Sequence, residues 1–405
     1  MSDFLRFLEN LCQHIGVEAN LSICTTERTD EHELAAKILN EINRFLYQTN
    51  SALDREYISE FHKYWKENHF QILKPEIVDE KCLEVAHILE QIYCNNNIRV
   101  QHDTLNLTNH QIANVRFFTA IQDFKIDIGA RVNPFQLYNI NQGYFNPQEI
   151  VENELLVDEF LNQLGADSQR DKRKRWMQNA AQLLNDKYES DAFKINESHQ
   201  GDVLSIKDAL ASSDLYGFSH KKTDMFLRDM ADLGVWIYSA NSQEINVMSD
   251  KNTMRIALRT GILKTRMPLL ASYLDIYCYQ YATIDKWNTL AWRKVWELWD
   301  GIAGNHKPPT PASIDYFIYR TGKIACWKSP MRRKCRPNNP VTKKWLQAKS
   351  CQDRLIFNFE GYCVFDGVCS LENRIFNHPM SISILGQTGW QSGKINEGGG
   401  GGIQS

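Results

Sequence analysis

The chain has 405 residues, 43% of them hydrophobic, with a formal net charge of −3 and a pI near 6.4. Such a composition predicts a globular protein of two or three domains and gives no global nucleic-acid signature, so binding to a polyanion must come from local basic clusters. No apolar run reaches the length of a membrane span and the mixed-charge start, Met1 to Glu9, is amphipathic rather than a signal peptide, so the expectation is a cytoplasmic protein without a membrane partner whose ten cysteines are reduced thiols or metal ligands.

Residues 1–105 read as a helical N-terminal region. Asp30 precedes Glu33 at capping-box spacing, and Leu34, Ile38, Leu39, Ile42, Phe45 and Leu46 mark one helical face. Ile77, Leu83, Val85, Ile88, Leu89 and Ile92 mark another. Cys12, Cys24, Cys82 and Cys94 lack metal-ligand spacing and read as buried apolar thiols. From Ile112 onward, Val115 to Phe124 predicts an apolar helix with the adjacent polar residues Gln122 and Asp123 near its end, where satisfying local backbone is one use for them. Arg170-Asp171-Lys172-Arg173-Lys174-Arg175-Trp176 then starts another helix, its basic residues a solvated face or a set of phosphate contacts, with Trp176 as the anchor to the core.

The stretch from Ser205 to Gly261 is the most informative. Ile206, Leu210 and Leu215 lead into Leu215-Tyr216-Gly217-Phe218-Ser219-His220-Lys221-Lys222-Thr223, after which Met225, Phe226, Met230 and Leu233 recur at helical spacing. This predicts a short Gly-containing hairpin between two helices, with backbone N–H groups at a helix start beside Lys221 and Lys222, a combination suited to a phosphate. Next come a β-type run, Ile245-Asn246-Val247, and then Asp250, which caps a helix carrying Arg255 and Arg259. The hairpin also fits an ordinary helical corner, and Asp250 an ordinary N-cap.

Beyond it, Leu269 to Tyr277 and Trp287 to Trp299 are strongly apolar segments read as core, and Asn305 to Pro311 is a loop. The segment Ser313 to Cys326 ends at a cysteine. Five cysteines, Cys326, Cys335, Cys351, Cys363 and Cys369, fall within 44 residues and invite a metal; buried unligated thiols are the other reading. Between them lie Lys328, Arg332, Arg333, Lys334, Arg336, Lys343 and Lys344, interleaved with prolines, a loop able to neutralise phosphates. Pro379 to Trp390 alternates as a strand ending in a turn, and the run Gly398 to Gly402 is flexible by composition.

The hairpin, the Asp250 segment and the cysteine entrance together resemble the helix-hairpin-helix DNA glycosylases of the endonuclease III type, with the longer gap between Lys222 and Asp250 closer to the archaeal 8-oxoguanine glycosylase branch. The resemblance spans about residues 112 to 370. It departs at Ser219, which replaces a second Gly; at Asp224, where the family has Ala; at Met248-Ser249 for Pro-Val; and at Asn252 for His. It implies a mainly α, two-lobed body over 106–325, an added N-terminal region over 1–105, and a Cys-rich basic loop and tail over 326–405. It implies Lys222 as nucleophile, with Lys221 the neighbouring candidate, and Asp250 as the catalytic carboxylate. Gly217, Ser219 and Lys221 would meet DNA through the hairpin, as would Arg332, Arg333, Lys334 and Arg336 through the loop. Gln122 would fill the space left by a flipped base. Cys326, Cys351, Cys363 and Cys369, with Cys335 as alternative, would hold a 4Fe-4S cluster or zinc.

The expected activity is therefore excision of a damaged or modified base from double-stranded DNA by a monomeric enzyme, with or without strand cleavage at the abasic site. The mass outside the resemblance would admit a bulky base, such as a hypermodified one in viral DNA. Two other classes fit parts of the pattern: a nucleosidase acting on a modified nucleoside, which needs no basic loop, and a non-catalytic DNA-binding module, which needs no Asp250.

Overall fold

The computed structural model describes residues 74–95, 104–123 apart from 105, 133–264 apart from 212 and 213, 282–326 apart from 305, 354–369 apart from 359, and the isolated positions 13, 347, 383–384 and 393–394. The helix expected after Asp30, the segment Leu269 to Tyr277, Cys335, Cys351 and the basic loop lie outside these residues.

Among the described residues the chain is mainly helical. The helices are α1 (Asp79–Asn95), α2 (Asn109–Gln122), α3 (Pro134–Ile140), α4 (Pro147–Glu152), α5 (Glu154–Leu164), α6 (Arg170–Lys187), α7 (Phe193–Ser198), α8 (Val203–Ala211), α9 (His220–Asp232), α10 (Lys251–Thr260), α11 (Ala282–Leu298) and α12 (Asp315–Ile324). Strand β1 (Glu76–Ile77) pairs antiparallel with β2 (Leu263–Lys264), Ile77 opposite Leu263. Strand β3 (Ser383–Ile384) pairs with β4 (Gly393–Lys394). The run Ile245 to Val247 is not a strand: among the described residues no strand runs beside it, and Ile245 instead accepts a backbone bond from Ala312 N at 3.1 Å.

The chain divides into two compact units, both discontinuous in sequence. One comprises Tyr93–Met248 and Ala303–Tyr316, the other Met1–Ile92, Ser249–Ile302 and Phe317–Ser405.

The first unit is built around α2. Thr108 and Gln111 form a capping box at its start, and every residue from Val115 to Gln122 is buried. Helices α3, α6 and α9 pack against it. The short helices that follow are set by asparagine caps: Asn133, Asn146 and Asn153 each accept a backbone N–H at the start of the next helix, with Pro134 and Pro147 at the first helical position. Phe117, Phe118, Phe218, Phe226 and Trp236 interlock as an aromatic core through tilted and edge contacts.

In the second unit, α10 packs on α11, and Met254, Ile256, Ala257, Trp292 and Val295 are buried. Cys82 of α1 is buried, its thiol 3.8 Å from Ala291 O and pushed up to about 12 by desolvation, whereas Cys94, expected to be buried, is exposed. Phe365 is buried against Phe317 of α12.

Candidate functional site

The hairpin predicted from sequence forms between α8 and α9, through a 3-10 turn at Asp214–Tyr216. Gly217 has φ +73°, and a Cβ there would lie 2.7 Å from Trp176 Cγ and 2.8 Å from Ile121 Cγ2, so both backbone conformation and close approach demand glycine. Ser219, which stands where the resemblance has a second glycine, caps α9: its Oγ accepts from Lys222 N at 3.4 Å and its carbonyl accepts from Thr223 Oγ1 at 2.9 Å. Ser219 and Lys221 are exposed on the first turn.

Lys222 turns the other way and is 8% exposed. Its Nζ donates to Ile121 O at 2.5 Å and Gly217 O at 3.0 Å, and lies 4.4 Å from the centroid of the Trp176 ring. Burial, reinforced by Arg173, pushes its pKa down to about 8. Trp176 thus serves as more than a hydrophobic anchor, since it floors both the glycine and the amine.

Gln122 is fully buried. Its Nε2 donates to Arg173 O at 3.3 Å, and Arg173 Nη1 donates back to Gln122 O at 2.7 Å. An amide that fills the gap of a flipped base must protrude, so Gln122 is corrected to a tie between α2 and α6. The basic run divides for the same reason. Arg173 points inward, also donating from Nε to Ser168 O at 2.8 Å; Arg170 pairs with Asp158 at 2.9 Å and Lys174 with the same carboxylate at 2.6 Å. Lys172 and Arg175 are the exposed cations of the run.

Helix α9 carries a buried ionic lattice that periodicity could not reveal. Arg116 pairs with Asp229, and Arg228 with Asp229 at 2.7 Å and Asp315 at 3.1 Å. Asp315 Oδ1 also accepts from Met248 N at 3.1 Å, while Ser313 Oγ donates to Asp232 at 2.6 Å. Asp224, standing where the resemblance has Ala, is paired at 2.7 Å with Lys207 of α8 and accepts from Asn246 N at 3.3 Å. Burial holds the Asp224 carboxyl above its usual range although Lys207 opposes the shift. A carboxylate inside the arc of Thr223, Leu227 and Met230 was the available signal for this pair.

Asp250 belongs to the other unit and caps α10 as the sequence predicts. Its Oδ1 accepts from Asn252 N and Thr253 N, each at 2.8 Å, and its Oδ2 accepts from Asn252 Nδ2 at 3.2 Å. Thr253 Oγ1 completes the capping box by accepting from Asp250 N at 3.0 Å. Asn288, fully buried on α11, donates to Ser249 Oγ at 3.0 Å and Thr253 Oγ1 at 3.2 Å, bracketing Asp250. Nothing in the sequence of α11 singled it out. Arg255 is buried and donates to Gly322 O at 3.1 Å, so it joins α10 to α12 rather than facing a ligand. A Cβ on Gly322 would sit 2.6 Å from Asn252 O, which makes that glycine the contact allowing the helices this close.

Of the cysteine candidates, Cys326 is buried just beyond α12, while Cys363 and Cys369 are partly exposed in the turn-rich segment around Phe365. Among the described residues no three His, Cys, Asp or Glu side chains converge as metal donors, and these three thiols do not by themselves compose a site. Arg332, Arg333, Lys334 and Arg336 lie outside the described residues, as do Cys335 and Cys351. Among the described residues no helix is long and apolar enough to cross a membrane. No known family profile matches the chain, and no curated protein matches it significantly.

Proposed function

We propose that the chain is a DNA glycosylase that removes an altered base and cleaves the resulting abasic site, with Lys222 as nucleophile and Asp250 as the charge-stabilising carboxylate. The observation that carries this reading is the state of Lys222: an amine pushed down to about 8, on the first turn of the second helix of a glycine hairpin. An ordinary lysine at neutral pH is almost wholly ammonium and cannot attack carbon. The family resemblance supplies the rest of the assignment.

An N-glycosidic bond inside a duplex is inaccessible, so the nucleotide is rotated out at a cost of about a few kcal/mol, smaller for mismatched or altered pairs. As the base departs, positive charge builds on the sugar. The carboxylate of Asp250, oriented by its cap bonds, stabilises that charge. The neutral Lys222 amine forms the bond to C1′ while the bond to the base breaks, the base leaving with its electron pair and a proton. Opening of the sugar ring then gives a Schiff base, from which β-elimination breaks the strand.

One observation favours a second reading, the non-catalytic DNA-binding module. Both candidate groups already have structural work, Lys222 through two carbonyls and Asp250 through a helix cap. Incubation of the full chain with duplexes carrying oxidised, alkylated, deaminated, mismatched and hypermodified bases separates the two. Release of free base, with a protein–DNA adduct under borohydride, is the expected result. Salt-sensitive binding without release from any duplex would select the binding module.

A further inference from the structure

The carboxylate of Asp250 is held by its own helix, and the first turn of that helix is held in turn by α11. Thr253 Oγ1 lies 3.0 Å from Asp250 N, which can only donate, and 3.1 Å from Asp250 O, which can only accept. Its single hydrogen therefore goes to the carbonyl, and a further partner of the oxygen must be a donor. Asn288 supplies one: its Nδ2 donates to Thr253 Oγ1 at 3.2 Å and to Ser249 Oγ at 3.0 Å. One turn along α11, Trp292 Nε1 donates to Thr253 O at 3.4 Å. Two side chains on one face of α11 thus grip the residue whose backbone N–H binds Asp250 Oδ1 at 2.8 Å.

Asn288 is fully buried, and among the described residues its Oδ1 has no hydrogen-bond partner. A buried amide satisfied on one side only is unfavourable for stability, and an apolar residue of similar size would avoid that penalty. What the amide provides is direction at the residues flanking Asp250. We propose that Asn288 is the positioning residue for the Asp250 carboxylate, acting through Thr253 on one side and Ser249 on the other. The use of that carboxylate rests on the glycosylase reading; its placement does not. With the Asn288 donor present, the Thr253 hydroxyl is fixed as acceptor for Asp250 N, and the Thr253 N–H keeps its aim at Oδ1. Without that donor the hydroxyl is free to turn, the first turn of α10 loosens, and the carboxylate loses its single orientation. A displacement of about 1 Å at a reacting centre costs on the order of a hundredfold in rate.

The test compares the full-length wild type with Asn288→Leu, which is similar in size but cannot donate, by hydrogen exchange and by single-turnover base release from the duplex cleaved fastest. Exchange of the Asn252 and Thr253 amides, both bonded to Asp250 Oδ1, rises about fivefold or more, while that of α6 is unmoved. Duplex affinity holds, and base release falls by about tenfold to a hundredfold. Made on top of Asp250→Asn, the same substitution produces no further loss, because no charge is left to aim. That dependence is what a merely structural amide would not give. Thr253→Val slows release as Asn288→Leu does, and Thr253→Ser, which keeps the hydroxyl, recovers most of the rate. Asn288→Ser, too short to reach Thr253, is the second variant should Asn288→Leu not fold, and the same outcomes apply. Unchanged exchange at Asn252 and Thr253, or an equal loss of release on the Asp250→Asn background, overturns the proposal. Faster exchange in a protein that releases no base from any duplex keeps the Asn288 tether and removes the glycosylase reading instead.

Discussion

Lys222 and Asp250 both stand at the start of a helix, yet the chain holds them by opposite means. Asp250 carries the charge that a helix N-terminus favours, is partly exposed, and is fixed by two backbone N–H groups and the Asn252 amide. Lys222 carries the charge that its own helix disfavours, is buried, and is held by carbonyls from the end of α2 and from the hairpin. The carboxylate is therefore set by geometry and the amine by desolvation. Perturbing the first should change rates without moving a pH profile; perturbing the second should move the profile.

The largest effect is expected at the geometric end. Asp250→Asn keeps an N-cap acceptor but removes the charge proposed to stabilise the sugar, so base release should fall by about a hundredfold or more, measured under single turnover. A fall of less than tenfold would make Asp250 a cap alone. Arg228→Met comes next. It strips both Asp229 and Asp315 of a buried partner, and should cost about 3–5 kcal/mol in urea unfolding; a cost below 1 kcal/mol would mean the lattice is solvated. Gly217→Ala combines a strained positive φ with overpacking against Trp176 and Ile121, a loss of about 2–4 kcal/mol. Because it displaces the floor under the amine, it should also move the Lys222 midpoint, whereas Arg228→Met variants that remain folded should leave base-release geometry at Asp250 intact.

The smallest effect concerns pH. With the neutral amine as the proposed nucleophile and the Lys222 pKa depressed, adduct formation should rise with pH, about tenfold per unit below the midpoint, and level off above about 8. A plateau reached only near the ordinary lysine value would show an amine that is solvated when it reacts.

How much of this was legible follows the range of the interaction. The hairpin and the Asp250 cap came from contiguous residues, because glycine at positive φ and a carboxylate before a helix act on their own backbone. Arg173 in the basic run, Gln122 at the end of α2 and Asp224 in α9 were misjudged or unassigned for one reason. Each is a polar side chain whose partner, Gln122, Arg173 or Lys207, lies on another element, and hydropathy assigns polar residues to the surface. The run at Ile245 failed differently: β-type residues make a strand when a neighbouring strand is available, and among the described residues the backbone bond to that carbonyl comes from Ala312. Segment 303–316 returning to the unit of residues 93–248 is likewise a tertiary fact that no local window contains.

The central claim, a desolvated Lys222 acting as nucleophile, is tested most directly by borohydride trapping. Wild type, Lys222→Gln and Lys221→Gln are each incubated with the duplex from which base release is fastest, reduced, and resolved as covalent protein–DNA species. The account predicts an adduct in wild type and Lys221→Gln and none in Lys222→Gln. An adduct that survives in Lys222→Gln and vanishes in Lys221→Gln would contradict it and move the nucleophile to the exposed neighbour.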